Sequence, residues 1–138
     1  MSQYLMLASC SIVFVLGAVH LAFTFVGVRL KPRDTALEES MKRVSPIITQ
    51  QTSMWNAWIG FNASHSFGAM LFGLVYGYLA WFQAPILFES MFLQFIGLVL
   101  LTGYVVLGYL YWFSVPFRGV VAAWICYVVA LGLPLLHT

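Results

Sequence analysis

The sequence predicts an all-α integral membrane protein, a four-helix transmembrane bundle with one short amphipathic helix on the cytoplasmic side. Three observations lead there. Of 138 residues, 62% are apolar and 7% are charged, against roughly a quarter charged in a soluble domain. Arg29, Lys31, Arg33, Asp34, Glu38, Glu39, Lys42 and Arg43 stand in one cluster, leaving only Glu89 and Arg118 elsewhere. The long segments between them lack the charged outer stripe that a helix on a water-soluble core keeps. Lipid tolerates such surfaces, and this length holds four spans of about 20 residues.

Residues 4–28 form the first predicted span, stopped by Arg29, Lys31 and Pro32. No Lys or Arg precedes it and no small-residue cleavage pattern follows a short apolar run, so it does not read as a cleaved signal peptide. Thr35 and Glu38 have capping-box spacing, and Leu37, Met41 and Val44 recur every three or four residues. That pattern predicts a surface helix over 35–44. Ser45-Pro46 suits a fresh helix start, Ser as N-cap and Pro at the first helical position. The next helix is expected to begin there, carry Thr49-Gln50-Gln51-Thr52-Ser53 at the interface and span lipid over 54–82. Gln83-Ala84-Pro85 then makes a turn, 88–113 is the third span, and Ser114-Val115-Pro116 leads tightly into the fourth, 116–136, antiparallel to the third.

Five of the six basic residues flank the first loop and the sixth, Arg118, lies at the third. The positive-inside rule therefore places both loops in the cytoplasm and the termini and Glu89 turn outside. Trp55, Trp58, Trp81 and Trp112 fall near span ends, where amphipathic rings settle, while Trp124 falls mid-span. The basic cluster is mixed with three acids and reads as topology signal plus attraction to anionic headgroups, not as a nucleic-acid surface. Cys10 and Cys126 fall at different depths, so packing is expected rather than a disulfide.

Two histidines lie inside apolar spans. His20 is nine residues before Arg29, about 13 to 14 Å inward, and His65 is eleven after Met54, about 16 to 17 Å inward from the same face. An ionisable side chain near the bilayer centre is expensive and should face the bundle interior with a partner. At 100° per residue, Gly17, His20, Thr24 and Gly27 share one stripe of the first span. Gln51, Trp55, Trp58, Asn62, His65, Ala69, Gly73 and Tyr76 share one of the second, and Ser90, Gln94, Gly97, Tyr104, Gly108 and Tyr111 one of the third. Thr24, Asn62 and Ser66 are of the hydrogen-bonding type used between membrane helices, and the small residues allow close approach.

Three roles compete for the histidine pair. Neutral His20 and His65 can hold two helices in register through each other, Asn62 or a backbone carbonyl. They can line a pocket for a small apolar ligand, a lipid headgroup or a quinone, with His20, Thr24, Trp58, Asn62, His65, Ser66, Tyr76 and Tyr104 as the binding set. They can also ligate one metal centre, a b-type haem between facing helices with His20 and His65 as axial ligands. Zinc is disfavoured, since a structural site wants four ligands and no carboxylate or thiolate is near. His137 reads as interfacial. Apart from Glu89 at the outer end of the third span, no Asp or Glu lies within a span, so no Ser-His-Asp set or buried proton-carrying carboxylate is offered, and no phosphate-cradling glycine loop is present. Glu89 reads as a solvated helix-start residue, and Gly68, Gly73 and Gly77 with Gly97, Gly103 and Gly108 as close-packing positions, with self-association as the lesser alternative.

The passages VLGAVHLAFTFVG and MWNAWIGFNASHSFGAMLFGLVYGYL resemble a group of small four-span bacterial integral membrane proteins that carry no assigned function. Trp58, Gly60, Phe61, Asn62, Ser64, His65 and Ser66, with His20 upstream, are the most distinctive elements of the likeness, which covers nearly the whole chain. It implies a bacterial inner-membrane location, where the outside termini would be periplasmic, and the four-span count, and it brings no reaction, cofactor or substrate. A looser similarity of Gly17-Ala18-Val19-His20-Leu21 to DoxX-like four-helix proteins is too short to imply more. The expected role is non-enzymatic: an accessory subunit or ligand binder in the bilayer, within a larger membrane complex or a homo-oligomer, with the haem protein as the rival.

Overall fold

The computed structural model describes residues 1–135, whose regular structure is helical with no strand among the described residues. The helices are α1 (Ser2–Phe25), α2 (Thr35–Arg43), α3 (Met54–Phe82), α4 (Ala84–Glu89), α5 (Met91–Tyr111) and α6 (Ser114–Leu135). They divide between two compact units, one of Met1–Leu16 with the chain from Ala69 onward, the other of Gly17–Gly68. Three segments, α1, α5 and Ser114–Leu133 of α6, are long and apolar enough to cross a membrane. At 29 residues α3 is longer and uncharged, but Asn56, Asn62, Ser64, His65 and Ser66 dilute the apolar character of its first half.

In the first unit, Met6, Cys10 and Val13 of α1, Phe72, Tyr76 and Ala80 of α3, Leu87 of α4, Leu101 of α5 and Ala123, Tyr127 and Ala130 of α6 are buried. Small residues set the spacing. A Cβ at Gly73 would lie 2.7 Å from Phe14 Cβ and 2.8 Å from the Cys10 carbonyl oxygen, and one at Gly97 would run into the Tyr127 and Tyr76 rings. Such positions let helices approach to contact where no water drives them together. The α5–α6 pair is antiparallel, as expected. Tyr127 hydroxyl donates to the Gln94 carbonyl (2.9 Å), Trp124 Nε1 to Thr102 Oγ1 (3.0 Å), and Gly108 meets Phe117. The Thr102 bond explains the mid-span Trp124, whose indole needs an acceptor when no interface is near. Cys10 and Cys126 are free thiols. Among the described residues the buried Ser9 hydroxyl has no hydrogen-bond partner.

Several boundaries differ from expectation for local reasons. The first helix ends at Phe25, not at 28, because Gly27 turns the chain through a left-handed φ of 86°. The cap of α2 is Asp34, whose carboxylate accepts the Ala36 N–H at 2.8 Å; a carboxylate is the stronger acceptor and displaces the Thr35–Glu38 box. Ser45-Pro46 starts no helix. Thr49 N–H bonds to the Pro46 carbonyl (3.2 Å) and Gln51 N–H to Thr49 Oγ1 (3.1 Å), local turns that compete with helical pairing. Helix α3 therefore begins at Met54, with Ser53 Oγ accepting the Asn56 N–H at 3.2 Å. Before α5 the chain inserts α4, with Pro85 in its first turn, then breaks at Ser90, whose hydroxyl caps α5 through Leu93 N–H. Helix α6 starts at Ser114 rather than 116, since proline is tolerated in a first turn. His137 lies outside the described residues.

Candidate functional site

The second unit gathers most of the predicted polar residues. His20 and Thr24 are four apart on α1, and Trp58, Asn62, His65 and Ser66 recur every three or four residues on α3, so each set shares one face. Asn62 Nδ2 donates to the Trp58 carbonyl at 2.8 Å, which fixes the amide and leaves Oδ1 as acceptor. His20 Nε2 lies 2.9 Å from that oxygen and must be the donor, since a carbonyl oxygen only accepts. The His65 ring stands edge-on to that of His20, with centroids 5.6 Å apart and planes at 83°. The two imidazoles thus meet, which the similar depths counted from the charged loop allow.

The hydroxyls behave differently from expectation. Thr24 donates to the His20 carbonyl (2.8 Å) and Ser66 to the Asn62 carbonyl (2.9 Å). Each is buried and spends its proton on its own helix rather than on a neighbour. Trp58 Nε1 donates to the Leu30 carbonyl at 3.2 Å, tying α3 to the loop after α1. Tyr76 and Tyr104 belong to the first unit. There Tyr76 hydroxyl donates to the Leu93 carbonyl at 2.7 Å, and the Tyr104 ring lies 6.1 Å from that of Trp112.

A cavity of about 290 Å³ opens beside the cluster, lined by Phe23, Thr24, Phe25, Gly27, Leu30, Lys31, Trp55 and Ile59. It shares Thr24 with the predicted set and is otherwise new. The presence of Trp55 on the polar stripe was the signal available in the sequence; the rest depends on the turn at Gly27. Cations surround its aromatic walls. Arg29 lies 4.2 Å above the Phe23 ring, and Lys31 and Lys42 each lie 5.9 Å from the Trp55 centroid. Glu38 bridges Lys31 (3.1 Å) and Lys42 (2.9 Å), and Glu39 also meets Lys42 (2.8 Å). Hydrogen bonds from Lys42, then Lys31, hold the Glu38 carboxyl below its ordinary value; those to Glu39, then Glu38, hold the Lys42 ammonium above its own.

Among the described residues no group of three or more His, Cys, Asp or Glu stands where it could hold a metal ion. Haem would need the bare lone pair of each imidazole and a flat macrocycle between them. His20 commits Nε2 and its proton to Asn62, and its ring is in edge contact with His65. The arrangement suits a hydrogen-bonded pair better than two axial ligands. No protein-family model, curated protein or solved structure matches this chain.

Proposed function

We propose that this is a four-span protein of the bacterial inner membrane, its termini in the periplasm, that binds a lipid or small apolar ligand beside His20, Asn62 and His65. On this reading it is non-enzymatic and serves as an accessory subunit of a larger membrane complex or of a homo-oligomer. The observation that carries the proposal is the adjacency, through Thr24, of a hydrogen-bonded polar cluster and a cavity of about 290 Å³ with aromatic walls. Ligand sites are mostly apolar clefts with a few placed polar groups, about 300 to 1,000 Å³ in volume. This one lies at the small end and suits a headgroup or part of a chain.

Mass spectrometry of lipids and quinones retained by the purified protein tests it. One species should be enriched about tenfold over bulk membrane, an affinity difference of roughly 1.4 kcal/mol. Asn62→Leu should reduce that enrichment, and retention of bulk lipid alone would refute the proposal. Contact between two imidazoles is the one observation in favour of the haem alternative. Haem would appear as a Soret band lost in His20→Ala and His65→Ala; a colourless protein removes it.

A further inference from the structure

We propose that the ligand of the second unit is an anionic phospholipid, with its phosphate at Lys31 and Arg29 and its apolar part in the cavity between Phe23 and Trp55. The inference rests on the reading of this unit as a binder of a lipid or apolar ligand, and it names the class. The cavity is amphipathic in a particular order. Phe23, Phe25, Leu30, Trp55 and Ile59 make its walls, and the Thr24 hydroxyl, its buried polar group, is already bonded to the His20 carbonyl. Lys31, whose ammonium keeps N–H donors beyond its bond to Glu38, is therefore the charged donor the lining offers to a ligand, at a mouth that Arg29 flanks through Phe23.

Charge favours an anion there. Residues 29–43 hold five basic and three acidic side chains. Glu38 and Glu39 are taken by Lys31 and Lys42, and Asp34 by the cap of α2. Arg29 forms no ion pair among the described residues. A guanidinium stacked on an aromatic ring keeps its edge for bidentate phosphate recognition. A free phosphate would leave the apolar walls unfilled, and a neutral apolar molecule would leave Arg29 without an ion pair. A lipid with a charged headgroup satisfies both. The site also lies where α1, an apolar crossing helix, ends in the charged loop, the level at which headgroups sit.

Native mass spectrometry of the full chain in mild detergent, titrated with dioleoylphosphatidylglycerol, dioleoylphosphatidylcholine or inorganic phosphate, decides the matter. Phosphatidylglycerol should bind at about tenfold lower concentration than phosphatidylcholine. The double variant Arg29→Gln/Lys31→Gln should lose that preference, whereas Arg33→Gln/Arg43→Gln, which removes equal charge from the same segment, should keep it. Ile59→Trp, which fills the cavity, should weaken both lipids, and the melting temperature without lipid checks that each variant folds. Equal binding of the two lipids to the native chain overturns the lipid class while leaving a ligand site standing. Equal loss in the two arginine-containing doubles reduces the effect to general charge, and competition by inorganic phosphate at the concentration of the lipid makes the ligand a free anion. Absence of binding by either lipid overturns this inference, and absence of any retained species in the native protein overturns the underlying reading as well.

Discussion

Asn62 is the residue on which the polar cluster turns, because its amide both accepts from His20 and donates to the Trp58 carbonyl. Replacing it with Leu leaves the His20 N–H without that acceptor. Interhelical hydrogen bonds in membranes are worth about 0.6 to 2 kcal/mol, so Asn62→Leu should lower unfolding stability in detergent by about that amount. A double-mutant cycle with His20→Phe should recover most of the loss as coupling. Ser9 makes the opposite case. Its hydroxyl is buried with no partner among the described residues, so Ser9→Ala should leave stability unchanged or raise it by up to about 1 kcal/mol. The histidine pair was legible in the sequence, because rise per residue sets depth and a wheel sets facing. Tyr76 and Tyr104 were not assignable that way: a wheel says which face a residue occupies and not which helix meets it. Their partners, Leu93 and Trp112, lie in the first unit.

Among the helices, glycine positions separate packing from mere permissiveness. On α5, a Cβ at Gly97 would strike the Tyr127 and Tyr76 rings, while one at Gly103 meets nothing within 4 Å. Gly97→Ala should therefore cost about 1 to 3 kcal/mol through overpacking, and Gly103→Ala should be neutral or gain up to about 1 kcal/mol in helix propensity. Thermal unfolding of the two variants side by side checks the pair. The α2 clamp responds to pH. Because Glu38 is held below its ordinary value of 4.5, its contribution is full above that pH and is lost as pH falls through the depressed one. Lys42, held above its ordinary value of 10.5, contributes fully below that pH and loses its share as pH rises through the raised value. Trp55 emission, isolated by difference from Trp55→Phe, should be flat between those limits and change outside them. The long helices were readable from apolar runs and α2 from its amphipathic spacing, whereas α4 was read as a turn; the ends were decided by Asp34, Ser53 and Ser90, short side chains competing locally for the same amides.

For the molecule as a whole, the outer surface is apolar to a degree that a soluble protein's is not. Val15, Leu71, Leu74, Phe92, Phe95 and Ile125 face outward, while Ser9, Thr24, Ser66 and several Ala are buried. Water would punish so much exposed apolar surface, and three helices are long and apolar enough to leave it for lipid. The charged cluster and those three helices were plain in the sequence. The status of α3 was less so, because the residues that build the polar cluster are the ones that lower its apolar density. A four-span arrangement depends on α3 crossing, which puts Ser40 and Gln83 on opposite sides of the membrane. Labelling Ser40→Cys and Gln83→Cys separately, in a Cys10→Ser/Cys126→Ser background, with an impermeant maleimide on right-side-out vesicles measures this directly. Four spans with the basic loop in the cytoplasm predict that Gln83→Cys reacts in intact vesicles and Ser40→Cys only after permeabilisation. Reaction of both from the same face would contradict it.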